Sequence, residues 1–277
     1  MKYWLTVLAF LISCTSHTYK LTDKSQQILD DLDKIESVQK IDMMKDTPHQ
    51  TPALIFDSGN DGSTVFIIGG THGNEPAGYE AGLRLVNILK NNPPVNGKVV
   101  LIPLANRKAV ENYNRFIPVP KGVDKEVGNL NRCYPGKKDG LPMQRMAWEI
   151  QELAKKYEAQ VFIDMHEAPY LHLDTPPGSW RDMGLGQTLI YSPNDPSQWL
   201  LIDLLDTINE GIEESTHKFS GIDKPILHSA AWWAGQELGV AAFTFETYKK
   251  VDIERRVVHH LGLVKIALEH AEVWETE

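Results

Sequence analysis

Thr64-Val65-Phe66-Ile67-Ile68 runs straight into Gly69-Gly70-Thr71-His72-Gly73-Asn74-Glu75-Pro76-Ala77-Gly78, and this stretch decides the fold. The first five residues are β-branched or aromatic, as a pleated, buried strand prefers. Paired glycines then permit a tight turn, and Pro76 opens a segment with helical spacing that extends to about Leu89. A strand that feeds a helix through such a turn is the building unit of an α/β protein. The same alternation recurs downstream. Val99 to Leu104, Ala159 to Met165 and Val240 to Phe245 read as buried apolar strands, with a short strand at Leu189 to Tyr191. Gln144 to Tyr157, Trp199 to Thr216 and Ile253 to Ala271 read as helices, the last with Val257, Leu261, Val264 and Leu268 on one stripe. The expected architecture is a three-layer α/β/α sandwich around a mixed, mainly parallel central sheet. Upstream, Ala53 to Phe56 pairs with Thr64 to Ile68 in a hairpin-like arrangement across Asn60-Asp61-Gly62. Ile28, Leu32, Ile35, Val38 and Ile41 recur at three- and four-residue spacing, so Ser25 to Met44 reads as one amphipathic helix, broken by Asp46 to Pro52.

A chain of 277 residues with 42% hydrophobic content can bury one substantial core. Its 28 Lys+Arg against 37 Asp+Glu give a formal net charge of −9, which repels phosphate backbones and argues against nucleic acid as a partner. An anionic substrate must therefore meet local cations. The start, Lys2 followed by an apolar run from Tyr3 to Ile12, reads as an export signal, too short for a span of about 20 apolar residues. Leu11-Ile12-Ser13-Cys14 resembles the lipobox of bacterial lipoproteins; a plain signal peptide is the other reading. The division expected is 1–14 signal peptide with lipobox, 15–45 tether and N-terminal helix, and 46–277 one folded domain. The protein is thus expected to be exported to the cell envelope, touching the membrane only through a lipid on Cys14. Cys133 is then the one cysteine left, which rules out an intramolecular disulfide and leaves a nucleophilic thiol as an alternative use.

In sheets of this kind, sites gather at the carboxyl ends of strands. Three strands end on suggestive residues: His72 and Glu75, His166, and Glu246. His72 and Glu75 stand at i, i+3 around a glycine turn, and His166 from a distant strand completes a His₂Glu set with room for a further ligand, the pattern of catalytic zinc. Residues 105 to 142, rich in Asn, Pro, Gly and Arg, form a loop long enough to be functional.

Four segments carry a family resemblance. Ile68 to Gly78 resembles the metal-binding stretch of the zinc carboxypeptidase superfamily, above all its succinylglutamate desuccinylase/aspartoacylase branch. Asn106 through Asn114-Arg115-Phe116 to Asn129-Leu130-Asn131-Arg132-Cys133-Tyr134-Pro135-Gly136 is similar to that branch's substrate-clamping loop. Ile163-Asp164-Met165-His166 resembles its third-ligand strand, and Trp233-Ala234 through Gly239 to Phe243-Thr244-Phe245-Glu246 its catalytic-glutamate strand. The resemblance covers about residues 53 to 250.

It implies one zinc ion per chain on His72, Glu75 and His166. It further implies a metal-activated water whose proton passes to Glu246, Arg115 facing the carbonyl oxygen, and Arg132 with Asn131 gripping a substrate carboxylate. The substrate is then a small carboxylate-bearing amide or peptide, and the reaction most expected is release of an acyl group from an N-acyl amino acid. A metallocarboxypeptidase or murein-peptide amidase is the alternative enzyme, and a non-catalytic zinc-binding lipoprotein the alternative of another class. Asp164 either orients a ligand imidazole or is a buried structural carboxylate; His172 is a candidate for the pocket wall. Glu167, where relatives more usually place an uncharged polar residue, is expected to favour a substrate with a cationic group. Only one helix-worth of sequence follows Glu246, without the further β-domain of the named deacylases, so a more open pocket is expected.

Overall fold

The computed structural model describes residues 19–32, 34–35, 38–176 and 184–275. The signal-peptide and lipobox reading of residues 1–14 lies outside them. Among the described residues, eight strands form one sheet: β1 (Gln39–Met43), β2 (Thr51–Asp57), β3 (Thr64–Ile68), β4 (Lys98–Ile102), β5 (Val161–Ala168), β6 (Thr188–Tyr191), β7 (Ser220–Ile222) and β8 (Ala241–Tyr248). The helices are α1 (Asp23–Leu32), α2 (Pro76–Asn91), α3 (Arg107–Glu111), α4 (Pro142–Lys156), α5 (Asp195–Glu210), α6 (Ala230–Trp233) and α7 (Ile253–His270). The strand order is β1-β2-β4-β3-β5-β8-β6-β7. The central strands β4, β3, β5 and β8 are mutually parallel, whereas β2 runs antiparallel to β4 and β6 antiparallel to β8.

Two cores cover the two faces, as alternation along a strand requires. Val65 and Ile67 of β3 join Tyr79 and Leu83 of α2, Leu204 of α5 and Val264 of α7. Phe66 and Ile68 point the other way, onto Met146 and Ile150 of α4 and Trp233 of α6. The three-layer sandwich with a mixed, mainly parallel sheet is the fold of the chain. Among the described residues no helix is long and apolar enough to cross a membrane.

Three expectations need correction. The helix expected over Ser25 to Met44 ends at Leu32, and Gln39–Met43 forms an edge strand paired antiparallel with β2. Its Ile41 and Met43 fit a period of two as well as the helical one, and the free edge of β2 decides between them. The sheet therefore begins before residue 46. β2 and β3 do not pair; β4 lies between them. Adjacency in sequence suggested a hairpin, but β4 has two partners to satisfy and β3 prefers a parallel one. Finally β5 and β8 run on to Ala168 and Tyr248, so His166 and Glu246 sit within strands rather than after them.

His259 and His260 of α7 are buried, and burial pushes their pKa values down to about 4 and about 3. An unfolded histidine takes up its proton near pH 6.5. The unfolded chain thus binds more protons than the folded one below that pH, and stability falls as pH drops from about 6.5 toward the folded values. Each group contributes up to about 1.4 kcal/mol per pH unit in that window. Urea unfolding at pH 7 and pH 5 should show this loss, and His260→Gln should reduce the difference by roughly 1–2 kcal/mol.

Candidate metal centre and active site

The turn after β3 is held by close packing. A side chain at Gly73 would collide with the Ala109 carbonyl, and one at Gly78 with the carbonyl of Met165. These glycines let the turn approach α3 and let α2 lie directly on β5, beside His166. His72 and Glu75 are thereby brought to His166 across the β3–β5 pair, and all three are buried, at 2%, 2% and 1% exposure.

Three atoms converge. His72 Nδ1 lies 3.0 Å from Glu75 Oε2, His166 Nδ1 lies 2.8 Å from the same oxygen, and the two Nδ1 atoms are 3.1 Å apart. The opposite ring nitrogens are already engaged. His72 Nε2 faces Asn129 Oδ1 at 3.0 Å, and that amide is oriented because Oδ1 also accepts from Asn131 N–H and Nδ2 donates to Glu126. An amide oxygen only accepts, so Nε2 of His72 carries the proton and Nδ1 presents a lone pair. His166 Nε2 lies 2.8 Å from Asp164 Oδ2, in contact though not well aligned, while Asp164 Oδ1 accepts from Thr71 Oγ1 at 2.8 Å. Two ring nitrogens and a carboxylate oxygen thus face one point from three sides. That is electrostatically untenable unless a cation or proton sits between them.

The donor set fits a divalent metal. A tetrahedral ion with bonds of about 2.0–2.1 Å sets its ligand atoms about 3.3 Å apart, near the observed separations. Carboxylate and amide partners behind both imidazoles are the usual supports of ligating histidines. His72, Glu75 and His166 form the group among the described residues able to hold a metal ion.

Charge in the site is strongly coupled. Burial would raise the Glu75 carboxyl, but His72 and His166 hold it well below the usual carboxylate range. Burial lowers His72. Burial also opposes protonation of His166, yet Asp164 and Glu75 hold its pKa well above the imidazole range. Glu246 pairs in register with His166 on the adjacent strand, so the two share a face of the sheet. Burial pushes its carboxyl up to about 8, against the pull of His166 and Arg115, and Oε2 has no hydrogen-bond partner.

These groups open into a cleft of about 410 Å³ that includes Arg115, Asn131, Arg132, Ser229, Ile226 and Lys249 on its walls. His72, Glu75, Arg115, Asn131, Arg132, His166 and Glu246, all singled out from the sequence, line this one cleft. Arg115 Nη1 donates to Glu75 Oε1 at 2.6 Å, holding the oxygen that faces away from the imidazoles. Asn131 Oδ1 is occupied by the Ala230 N–H at 2.9 Å, and Arg132 Nη1 donates to the Asn131 carbonyl at 2.7 Å. Lys249, three residues beyond Glu246, is a third cation on the cleft that the sequence reading missed. Asn129 and Thr71 were quoted in motifs without a role; their adjacency to Asn131 and His72 was the available signal.

Other expectations fare differently. His172 is not on the cleft wall; its Nδ1 contacts the Gly184 carbonyl at 2.9 Å. Cys133 is no nucleophile, being buried against the Val127 and Asn129 carbonyls with its thiol pushed up to about 12 by burial. Glu167 does not await a cationic substrate. Its side chain is fully buried, bonded to Arg256 Nη1 and accepting from the Ala77 N–H at 2.9 Å.

The isolated protein should retain about one equivalent of zinc by elemental analysis, and His72→Ala should lose it. Asn129→Ala and Asp164→Asn should keep the fold but weaken zinc affinity roughly 10–100-fold in chelator competition. Unchanged affinity in both would mean the imidazoles are not oriented as described.

Residues 61–174 match the sequence model of the Succinylglutamate desuccinylase/Aspartoacylase catalytic domain. The N-alpha-acetyl-L-2,4-diaminobutyric acid deacetylase of Halomonas elongata is 33% identical over 96 residues, 35% of this chain and 26% of that protein. Among solved structures, the mDAP-bound form of Helicobacter pylori Csd4, a D,L-carboxypeptidase, superposes with a TM-score of 0.63 at 16% identity, over 77% of this chain and 52% of that one. The product-bound ectoine utilization protein EutE (DoeB) of Ruegeria pomeroyi gives 0.62 at 18% identity, over 87% and 68%. The succinylglutamate desuccinylase/aspartoacylase of Rhodobacter sphaeroides gives 0.59 at 19% identity, over 86% and 65%. The chain thus spans about a quarter of the curated deacetylase and about half of the carboxypeptidase. Over residues 61–174 the chain is similar to the Succinylglutamate desuccinylase/Aspartoacylase catalytic domain.

Proposed function

We propose that the chain is a zinc-dependent hydrolase that cleaves an amide bond next to a carboxylate, releasing the acyl group of an N-acyl amino acid. The observation that carries this reading is the convergence of His72, Glu75 and His166 beside the buried, unpartnered carboxyl of Glu246. Zinc held by those three residues would lower the pKa of a water and polarise the scissile carbonyl. Glu246 removes the proton from the attacking water and delivers it to the leaving nitrogen. A carboxyl raised toward neutrality by burial is matched to both transfers, since its two protonation states lie close in energy. Arg115, already drawn toward the site by Glu75, turns its remaining N–H groups to the oxyanion that develops on the carbonyl. Arg132 takes the substrate carboxylate, with Asn131 locking the loop through Ala230. The domain matched and the curated deacetylase relative both favour an acylated amino acid.

A second reading is supported by the likeness to the D,L-carboxypeptidase fold, which extends beyond the matched domain. The same residues would then cut a peptide bond preceding a free carboxylate in an envelope peptide. Retention of a zinc fold without catalysis is disfavoured by the completeness of the set, from His72 through Arg115 to Glu246. Incubation with N-acetyl and N-succinyl amino acids, C-terminally free peptides and muropeptides separates the readings: free amino acid from acylated substrates is expected, and turnover of peptides alone would favour the second. Glu246→Gln should retain zinc and lose kcat by about 10²–10⁴-fold; intact turnover in that variant excludes the proposed base.

The chain is further proposed to be an exported lipoprotein, on the strength of Lys2, the apolar run and Leu11-Ile12-Ser13-Cys14. Palmitate labelling and membrane fractionation should both be abolished by Cys14→Ser; labelling that survives the change would remove this assignment.

A further inference from the structure

Glu167 follows a metal-ligand candidate on β5, and its two ends hold two different segments. Its backbone N–H donates to Glu75 Oε2 at 3.3 Å, the oxygen that faces both imidazoles. Its side chain turns to the opposite face of the strand, as the next residue along a strand must. There Oε2 accepts from the Ala77 N–H at 2.9 Å, and Oε1 is bonded by Arg256 Nη1. Ala77 lies in the first turn of α2, whose N-cap is Glu75 itself, and Glu75 makes no side-chain cap. Glu167 therefore caps from another strand the helix that starts at the ligand turn, where an anion is favoured by the exposed N–H groups. Arg256, on α7, has a side chain only 11% exposed against 0% for Glu167. The pair joins β5, α2 and α7 at one point, directly behind the three convergent donors.

We propose that Glu167 and Arg256 act as a positioning pair that sets the distance between the turn bearing His72 and Glu75 and the strand bearing His166. This rests on the reading of those three residues as a metal centre. A side chain without exposed surface is unavailable to substrate, so the pair acts on ligand geometry and hence on metal affinity. Thr71 Oγ1 donating to Asp164 Oδ1 also joins the turn to β5, on the His72 side; on the Glu75 side, Glu75 Oε2 and the Ala77 N–H are both held by one residue, so a shift of Glu167 moves both together.

The fold supplies its own control. Arg84 of α2 donates to Glu254 of α7 at 2.6 Å, tying the same two helices at a partly exposed position away from the ligands. Zinc affinity by competition with a chelator of known affinity is the readout, beside thermal unfolding of the zinc-free protein. Glu167→Gln is expected to weaken zinc binding about 10–100-fold. Because it leaves a buried arginine unpaired and risks unfolding, the Glu167→Met/Arg256→Met double variant provides the second arm; a packed apolar pair in place of an ion pair is often neutral for stability. It should fold as the wild type does and still bind zinc 10–100-fold more weakly, while Arg84→Gln leaves affinity within about twofold. Wild-type affinity in the folded double variant, or an equal loss in Arg84→Gln, overturns the positioning role and leaves the metal centre standing. A wild-type protein that binds no zinc at all removes the centre and the pair together.

Discussion

A carboxylate buried between two imidazoles is the constraint on which the rest of this structure depends. Glu75 has almost no contact with water, and its Oε2 sits within 3.0 Å of two ring nitrogens that already face each other. Such a group destabilises a fold unless opposite charge compensates it. The surroundings show where compensation comes from: Arg115 on Oε1, the Glu167 amide on Oε2, and the point of convergence itself, shaped for a cation. The site is a place where several charges are buried together, and the apolar strands on either side hold it in place.

Parallel register turns that local arrangement into a working geometry. β3, β5 and β8 lie side by side and in the same direction, so their carboxyl ends share one edge. β3 ends in the ligand turn, β5 carries His166, and β8 carries Glu246 as the direct neighbour of His166. Strands about 4.8 Å apart therefore set the candidate base beside the candidate ligands with no long connection to define the spacing. The glycines of the β3–α2 turn complete it, since Gly78 lets the helix rest on the backbone of Met165. The long loop then supplies Arg115, Asn131 and Arg132 from above, anchored by Asn131 on Ala230.

Most of this was legible in the chain because the informative signals are local or strongly patterned. Continuous apolar runs marked the central strands, and the residues read at their carboxyl ends pointed to the candidate ligands His72, Glu75 and His166 and to Glu246. What was illegible depended on partners far away in sequence. Gln39–Met43 carries too few residues to separate a two-residue from a helical period, and only the open edge of β2 settles it. Glu167 looked like a substrate contact because its position beside His166 was visible while Arg256, far along the chain, was not. Lys249 gave no pattern at all, and Asn129 gave a motif position without a role, since a single polar residue acquires meaning only from what it faces. Cys133 likewise could be judged inert only once its burial against two carbonyls was known.

On the proposed reading, one metal ion is held by nitrogen and oxygen alone, from His72, Glu75 and His166. X-ray absorption at the zinc edge of the purified protein addresses it directly. A first shell of light atoms at about 2.0–2.2 Å with the outer scattering of two imidazoles is expected. A zinc–sulfur distance near 2.3 Å, or a shell without imidazole scattering, would contradict it.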